Sequence, residues 1–228
     1  MAKSSKAIEL KYQRGLTAIA RAVGAIVKAF PDPLNPKLTE TLERYALALG
    51  PWAEAFAAQM ILESTKTIDK TFSKSKKISQ LLKNNVIPQY KVRELMNEQV
   101  TLIKSLPIKS GLRAQEIALN TLQGGLRSEQ AAIEIAKTTG ITVRRAKTIA
   151  RTEVARTNAV LTEARAQNVG ITHYIWNTSG DADVRESHAE MNGQVIAYDS
   201  PPTLSDGTKG HAGTFPNCRC FQSPVIPE

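Results

Sequence analysis

The sequence predicts an α+β protein, with a mainly α-helical N-terminal region followed by a small α+β lobe carrying a short antiparallel sheet. Three observations carry that expectation. Apolar residues recur every three or four positions in long stretches up to Asn168, which is the period of a helix with one buried face. After Gly170 the run Ile171-Thr-His-Tyr-Ile-Trp176 alternates and is rich in β-branched and aromatic residues, as a strand requires. Between 199 and 217, Pro201, Pro202, Gly207, Gly210, Gly213 and Pro216 leave no room for a regular element, so a loop is expected.

The elements follow in order. Ile8, Tyr12, Leu16, Ile19, Val23, Ile26 and Val27 define a helix from Ala7 to Phe30, which Pro31-Asp-Pro-Leu-Asn-Pro36 breaks. Further helices are expected over Thr39–Leu49, ended by Gly50-Pro51, and over Trp52–Phe72, Lys74–Asn84 and Gln89–Ser105. Pro107 to Gly111 reads as a boundary. Beyond it come helices at 112–123, stopped by Gly124-Gly125, and at 128–138, with Ser128 as N-cap and Gly140 as C-cap. Thr142 then caps a longer helix to Asn168. In the lobe, a strand over 171–176, a helix over 181–192 and a strand over Gln194–Tyr198 precede the loop, and Val225 and Ile226 close the sheet.

With 228 residues and 42% hydrophobic content, the chain is long and apolar enough to bury a core. No apolar run approaches the ~20 residues that cross a bilayer. Met-Ala-Lys-Ser-Ser-Lys at the start lacks the apolar segment of an export signal, so export is not expected. The two cysteines stand two positions apart, where a disulfide would be strained, which points to a reducing compartment.

Charge is uneven. Residues 1–110 carry 18 basic and 9 acidic side chains, 111–170 carry 9 and 5, and 171–228 carry 3 and 7. The excess of +9 over the whole chain therefore belongs to its first two parts, which favours contact with a polyanion such as nucleic acid. Lys66, Lys70, Lys74 and Lys77, with Lys76 beside them, would line one face of a continuous helix; such a stripe follows phosphates or is simply solvated. Ala132 to Lys147 carries a second basic signal. It resembles a helix-turn-helix offering Arg144, Arg145 and Lys147 to DNA, the basis of an alternative reading as a sequence-specific DNA-binding protein.

The chemistry-bearing residues gather at the C-terminal end. On a helix over 181–192, Asp181, Arg185 and His188 share a face, and the acid pairs with the guanidinium. Cys218 and Cys220, with His188 and with His211 or an acid as a fourth ligand, are a candidate zinc set, because thiolates and imidazole are its usual ligands. The bland alternative packs both cysteines on one side of a strand with His188 hydrogen-bonded beside them; His173 reads as a packing residue. A third reading makes Cys218 or Cys220 an enzyme nucleophile with His188 as base, but no orienting group or oxyanion site can be named. On the long helix, Arg151, Ala155 and Asn158 share one face and Glu153 and Thr157 another, so the helix is expected to be wedged between partners or layers, with Glu153 paired to Arg156 or Arg185.

Taken in order, Ile149-Ala-Arg-Thr-Glu153, Asn158, Gly170, Trp176, Asp181-x3-Arg185-x2-His188, Gly193 and Cys218-Arg219-Cys220 form a set that resembles the phage head morphogenesis domain of the Mu F-like minor head proteins. The resemblance covers residues 112–222. It implies a minor head (capsid) protein of a tailed phage or prophage, present in few copies inside the head near the portal, acting in head morphogenesis and in genome packaging or delivery, and not an enzyme. Its implied partners are the portal protein, the major capsid protein or scaffold, and phage DNA bound without sequence preference. The implied location is the capsid interior of the virion, and the host cytoplasm during assembly. The Thr or Ser usual before the motif arginine is Val184 here, and the chain ends soon after Cys220, so no fused toxin activity is expected. The organisation expected is a basic helical arm over 1–110 and a Mu F-like module over 111–228.

Overall fold

The computed structural model describes residues 3–30, 32–73, 79–80, 87–123 and 128–226. Among the described residues, five long or medium helices come first: α1 (Lys3–Ala29), α2 (Pro36–Ala48), α3 (Gly50–Phe72), α4 (Gln89–Leu122) and α5 (Ser128–Asn168). Then follow β1 (His173–Asn177), the short helix α6 (Glu186–Ala189), β2 (Val195–Ala197) and β3 (Phe221–Pro224). No described helix is long and apolar enough to cross a membrane.

Helix punctuation works where it sits at a true end. Asn35 caps α2, its side chain accepting from the Lys37 N–H, and Pro36 takes the first turn, where a missing N–H costs nothing. Two breaks expected from the sequence are absent. α4 runs straight through Pro107 to Gly111, and α5 runs as 41 residues through Gly140 and Thr142. Burial overrides the local signals: Ile103, Leu106, Ser110 and Ala114 are all buried along α4. On α5 the Thr142 hydroxyl donates to the Thr138 carbonyl one turn back (2.8 Å) instead of capping a new helix. With no turn between the two halves, residues 132–147 are not a helix-turn-helix. Most of the expected helix Lys74–Asn84 lies outside the described residues.

The chain divides into two compact units, one of Met1–Leu10, Ala58–Met96 and Arg151–Glu228, the other of Lys11–Ala57 and Asn97–Ala150. Among the described residues, the regular elements of the second are all helices. Its core takes most of the predicted stripe of α1, with Tyr12, Leu16, Ile19, Val23 and Val27 buried and Ile26 half-buried, together with Leu38 and Leu42 of α2. Helices approach closely at glycine: a Cβ on Gly24 would lie 2.1 Å from Thr139 Oγ1, so that contact requires the bare backbone.

The first unit packs helical segments against the sheet. The strand order is β2-β1-β3, both pairs antiparallel, with Trp176 opposite Gln222 and Tyr174 opposite Ile196. Alternation along β1 sends Tyr174 and Trp176 into the core and leaves His173 and Ile175 outside. His173 is therefore exposed, not a packing residue, with its Nδ1 2.8 Å from the Thr172 hydroxyl. The third strand lies earlier than expected, at Phe221–Pro224; Val225 and Ile226 are exposed beyond it, although the Val225 N–H still donates to the His173 carbonyl of β1 (2.9 Å). Tyr174 and Trp176 pack with Ile61, Phe72, Leu161, Met191 and Ile196 in one core that also contains Cys218 and Cys220.

Candidate metal centre

Three segments of the first unit build the site: the turn after β1, helix α6, and the loop before β3. After Asn177 the Thr178 N–H and hydroxyl both donate to Asn192 Oδ1, closing the turn on itself. Asp181 Oδ1 accepts from the Asp183 N–H, a local turn that competes with helix. The helix expected from 181 consequently starts only at Glu186 and is 4 residues long. It buries Ser187 and His188. Gly193, at φ +83°, turns the chain back so that its N–H reaches the Trp176 carbonyl (2.8 Å).

The loop is fixed by polar contacts at several points. Asp206 accepts from the Ser187 and Thr208 hydroxyls and from the Thr208 N–H. Those bonds, led by the Thr208 hydroxyl, hold its carboxyl down at about 2. Asn217 is the one described non-glycine residue at positive φ (57°), and α5 holds it: its N–H donates to Thr152 Oγ1 (2.8 Å) and its Oδ1 accepts from Arg151 Nη1 (3.1 Å). Arg151 Nε also lies 3.7 Å from the buried Glu9 carboxylate.

Beyond Asn217 the two sulfurs reach the histidine. Cys218 Sγ lies 3.5 Å and Cys220 Sγ 3.4 Å from the same atom, His188 Nδ1. All three side chains are buried, and both thiols are free. Aromatic rings wall the imidazole: Phe215 at 4.9 Å and Trp176 edge-on at 5.8 Å between centroids. The sulfurs are not equivalent. A hydrogen bond from the Cys220 side chain, and others from the backbone at Cys220 and Gly213, hold the Cys218 thiol well below its usual range. Donating that bond, and burial, push Cys220 up.

Arginines frame this centre without entering it. Arg219 spans Asp181 Oδ1 (2.5 Å) and Asp183 Oδ2 (3.0 Å), and Arg185 donates to the Pro216 carbonyl (2.8 Å). Asp181 and Arg185, expected to pair along a helix, therefore each have another partner, because the helix begins too late to bring them one turn apart.

Residues 114–223, just under half of the chain, match the family described as Phage Mu protein F like protein. This stretch is similar to the Mu F-like proteins. An "Uncharacterized protein" of Haemophilus influenzae (strain ATCC 51907 / DSM 11121 / KW20 / Rd) is 37% identical over 149 residues, covering 65% of this chain and 32% of that protein. The chain thus spans about a third of the length of that relative. No solved structure matches it.

Within the matched stretch, the residues singled out by the sequence converge in part. Trp176, His188, Cys218 and Cys220 meet in the core, while Asp181, Arg185 and Arg219 form its charged rim. Arg151 reaches the loop through Asn217; Glu153 is buried on α5 at 3% exposure. The faces of α5 carrying Ala155 and Thr157 are buried as well, in keeping with a wedged helix. Asn158 borders a small cavity beside Cys220 and Gln222. His211 does not join the sulfurs: its Nδ1 pairs with the Tyr174 hydroxyl (3.1 Å), and burial lowers its pKa. Asp183 and Phe215 are not singled out by the sequence, and Thr152 and Asn217 stand there only as members of motifs, with no sign that one would hold the other. An asparagine after proline, as at Asn217, is a pair suited to positive φ.

Lys66 and Lys70 are exposed on α3, and Arg144 and Lys147 are exposed on α5 with Arg145 half-buried. Lys74, Lys76 and Lys77 lie outside the described residues.

Proposed function

We propose that this protein is a minor component of a phage head, acting in head morphogenesis from the capsid interior near the portal, with its basic helical region against packaged DNA. The match of residues 114–223 to the Mu F-like family is the observation that carries this reading. Charge supports the DNA part: the excess of basic side chains lies in residues 1–170, and the acidic excess falls at the C-terminal end of the module. In functional terms residues 1–110 are the basic arm and 111–228 the module that docks on portal, capsid or scaffold. The role is structural, not catalytic.

A reading of the chain as a sequence-specific DNA-binding protein loses its support with the uninterrupted α5. Binding through scattered Lys and Arg contacts phosphates, is indifferent to base sequence, and weakens steeply with salt. The test is a titration of the full chain with two unrelated duplexes over a range of salt. Equal affinities that fall together as salt rises are expected; no affinity, or affinity insensitive to salt, removes the DNA contact from the proposal.

A further inference from the structure

We infer that His188, Cys218 and Cys220 form a binding site for a zinc-class divalent metal ion, with three protein ligands and a solvent molecule at the fourth position. The inference is independent of the role in the phage head and stands on geometry, burial and charge.

The distances fit a tetrahedral centre. Zinc bonds of about 2.3 Å to sulfur and 2.0–2.1 Å to imidazole nitrogen place sulfur and nitrogen about 3.5 Å apart along a tetrahedral edge. The two sulfurs here stand 3.5 and 3.4 Å from one imidazole nitrogen, and the three ligand atoms all lie within 4.8 Å of one another. Hydrogen bonding alone serves this arrangement poorly. Nδ1 carries one hydrogen or one lone pair and satisfies one sulfur, whereas a cation between the three atoms satisfies all of them.

Burial selects the same solution. The ligands are 3%, 3% and 5% exposed, behind the rings of Trp176 and Phe215. Two thiolates neutralise a divalent ion, so the centre carries no net charge into the core, where a lone thiolate or imidazolium would be costly. The Cys220 N–H pointing at Cys218 Sγ (3.3 Å) is the kind of supporting hydrogen bond that steadies a metal-bound thiolate. One side stays open. A cavity of about 60 Å³ touches all three ligands and is bordered by Ser179, Asp183, Arg185, Asn217 and Arg219. Its polar border and its size, which exceeds the ~30 Å³ a water occupies in the liquid, suit a bound solvent molecule.

Such an ion joins α6 to the segment before β3, 30 residues further along the chain, and so clips the loop shut. The test uses the full chain, purified under reducing conditions without chelator. Elemental analysis is expected to find about one zinc per chain. After the metal is stripped, titration with Co²⁺ should give a sulfur-to-cobalt charge-transfer band that saturates at one equivalent and is abolished by stoichiometric Zn²⁺. Replacing both sulfurs, as Cys218→Ser with Cys220→Ser, should remove the band, and His188→Gln should weaken binding at least tenfold. His211→Ala should leave it intact. Wild-type protein that contains no zinc and gives no charge-transfer band overturns the inference, as does a band that survives loss of both cysteines.

Discussion

Asn217 holds a backbone conformation that β-branched residues avoid, and it does so where the chain turns into the two cysteines. Asn217→Val combines the strain of positive φ with loss of the Arg151 contact, and is expected to cost about 1–3 kcal/mol in urea denaturation. Asn217→Gly keeps the conformation and should cost less; a valine variant as stable as the parent would show that the turn is not held as described. Trp176, fully buried on β1, supplies both core volume and one wall of the histidine pocket. Trp176→Ala should lose about 3–5 kcal/mol by the same measurement. Asp206 carries a pH signature. Its carboxyl is lowered from 3.8 to about 2, so its contribution is complete above about pH 4 and fades as pH falls toward 2. Asp206→Asn should flatten that part of the acid-unfolding curve, which Asn192→Asp, outside this hydrogen-bond set, should not do.

At the scale of elements, the uninterrupted α5 makes the sharpest prediction. A Cβ on Gly140 would meet nothing closer than Arg144 Nη1 at 3.9 Å, and Gly140 is helical. Gly140→Ala should therefore stabilise the protein by about 0.5–1 kcal/mol in thermal or urea unfolding. Were Gly140 the left-handed end of a shorter helix, the same change would destabilise. The residue also shows what sequence could and could not tell. Periodicity found the buried stripe of α1 and the alternation of β1, because a single face of each decides its burial. It divided α4 and α5 falsely, because Pro107, Gly140 and Thr142 are breakers only when packing leaves the choice to local preference. It placed His188, Cys218 and Cys220 together, since residue type alone made them a set. The pairing of Asp181 with Arg219 instead of Arg185 was hidden, because it depends on where a four-residue helix begins.

At the scale of the whole molecule, charge and family resemblance bear on the same proposed role. Basic residues dominate the first 170 positions, and residues 114–223 match the Phage Mu protein F like family. If the exposed Lys66 and Lys70 each meet a phosphate, substituting both with alanine should lower the slope of log affinity against log salt by about 2 in magnitude while leaving base preference absent. An unchanged slope would move the contact elsewhere on the chain. The most direct test of the head assignment is to locate the protein in purified virions, by quantitative mass spectrometry before and after protease treatment of intact particles, combined with chemical crosslinking. A few copies per particle, protected until the head is opened and crosslinked to the portal, is the predicted result. Absence from virions, or complete digestion from the outside of intact heads, would contradict it.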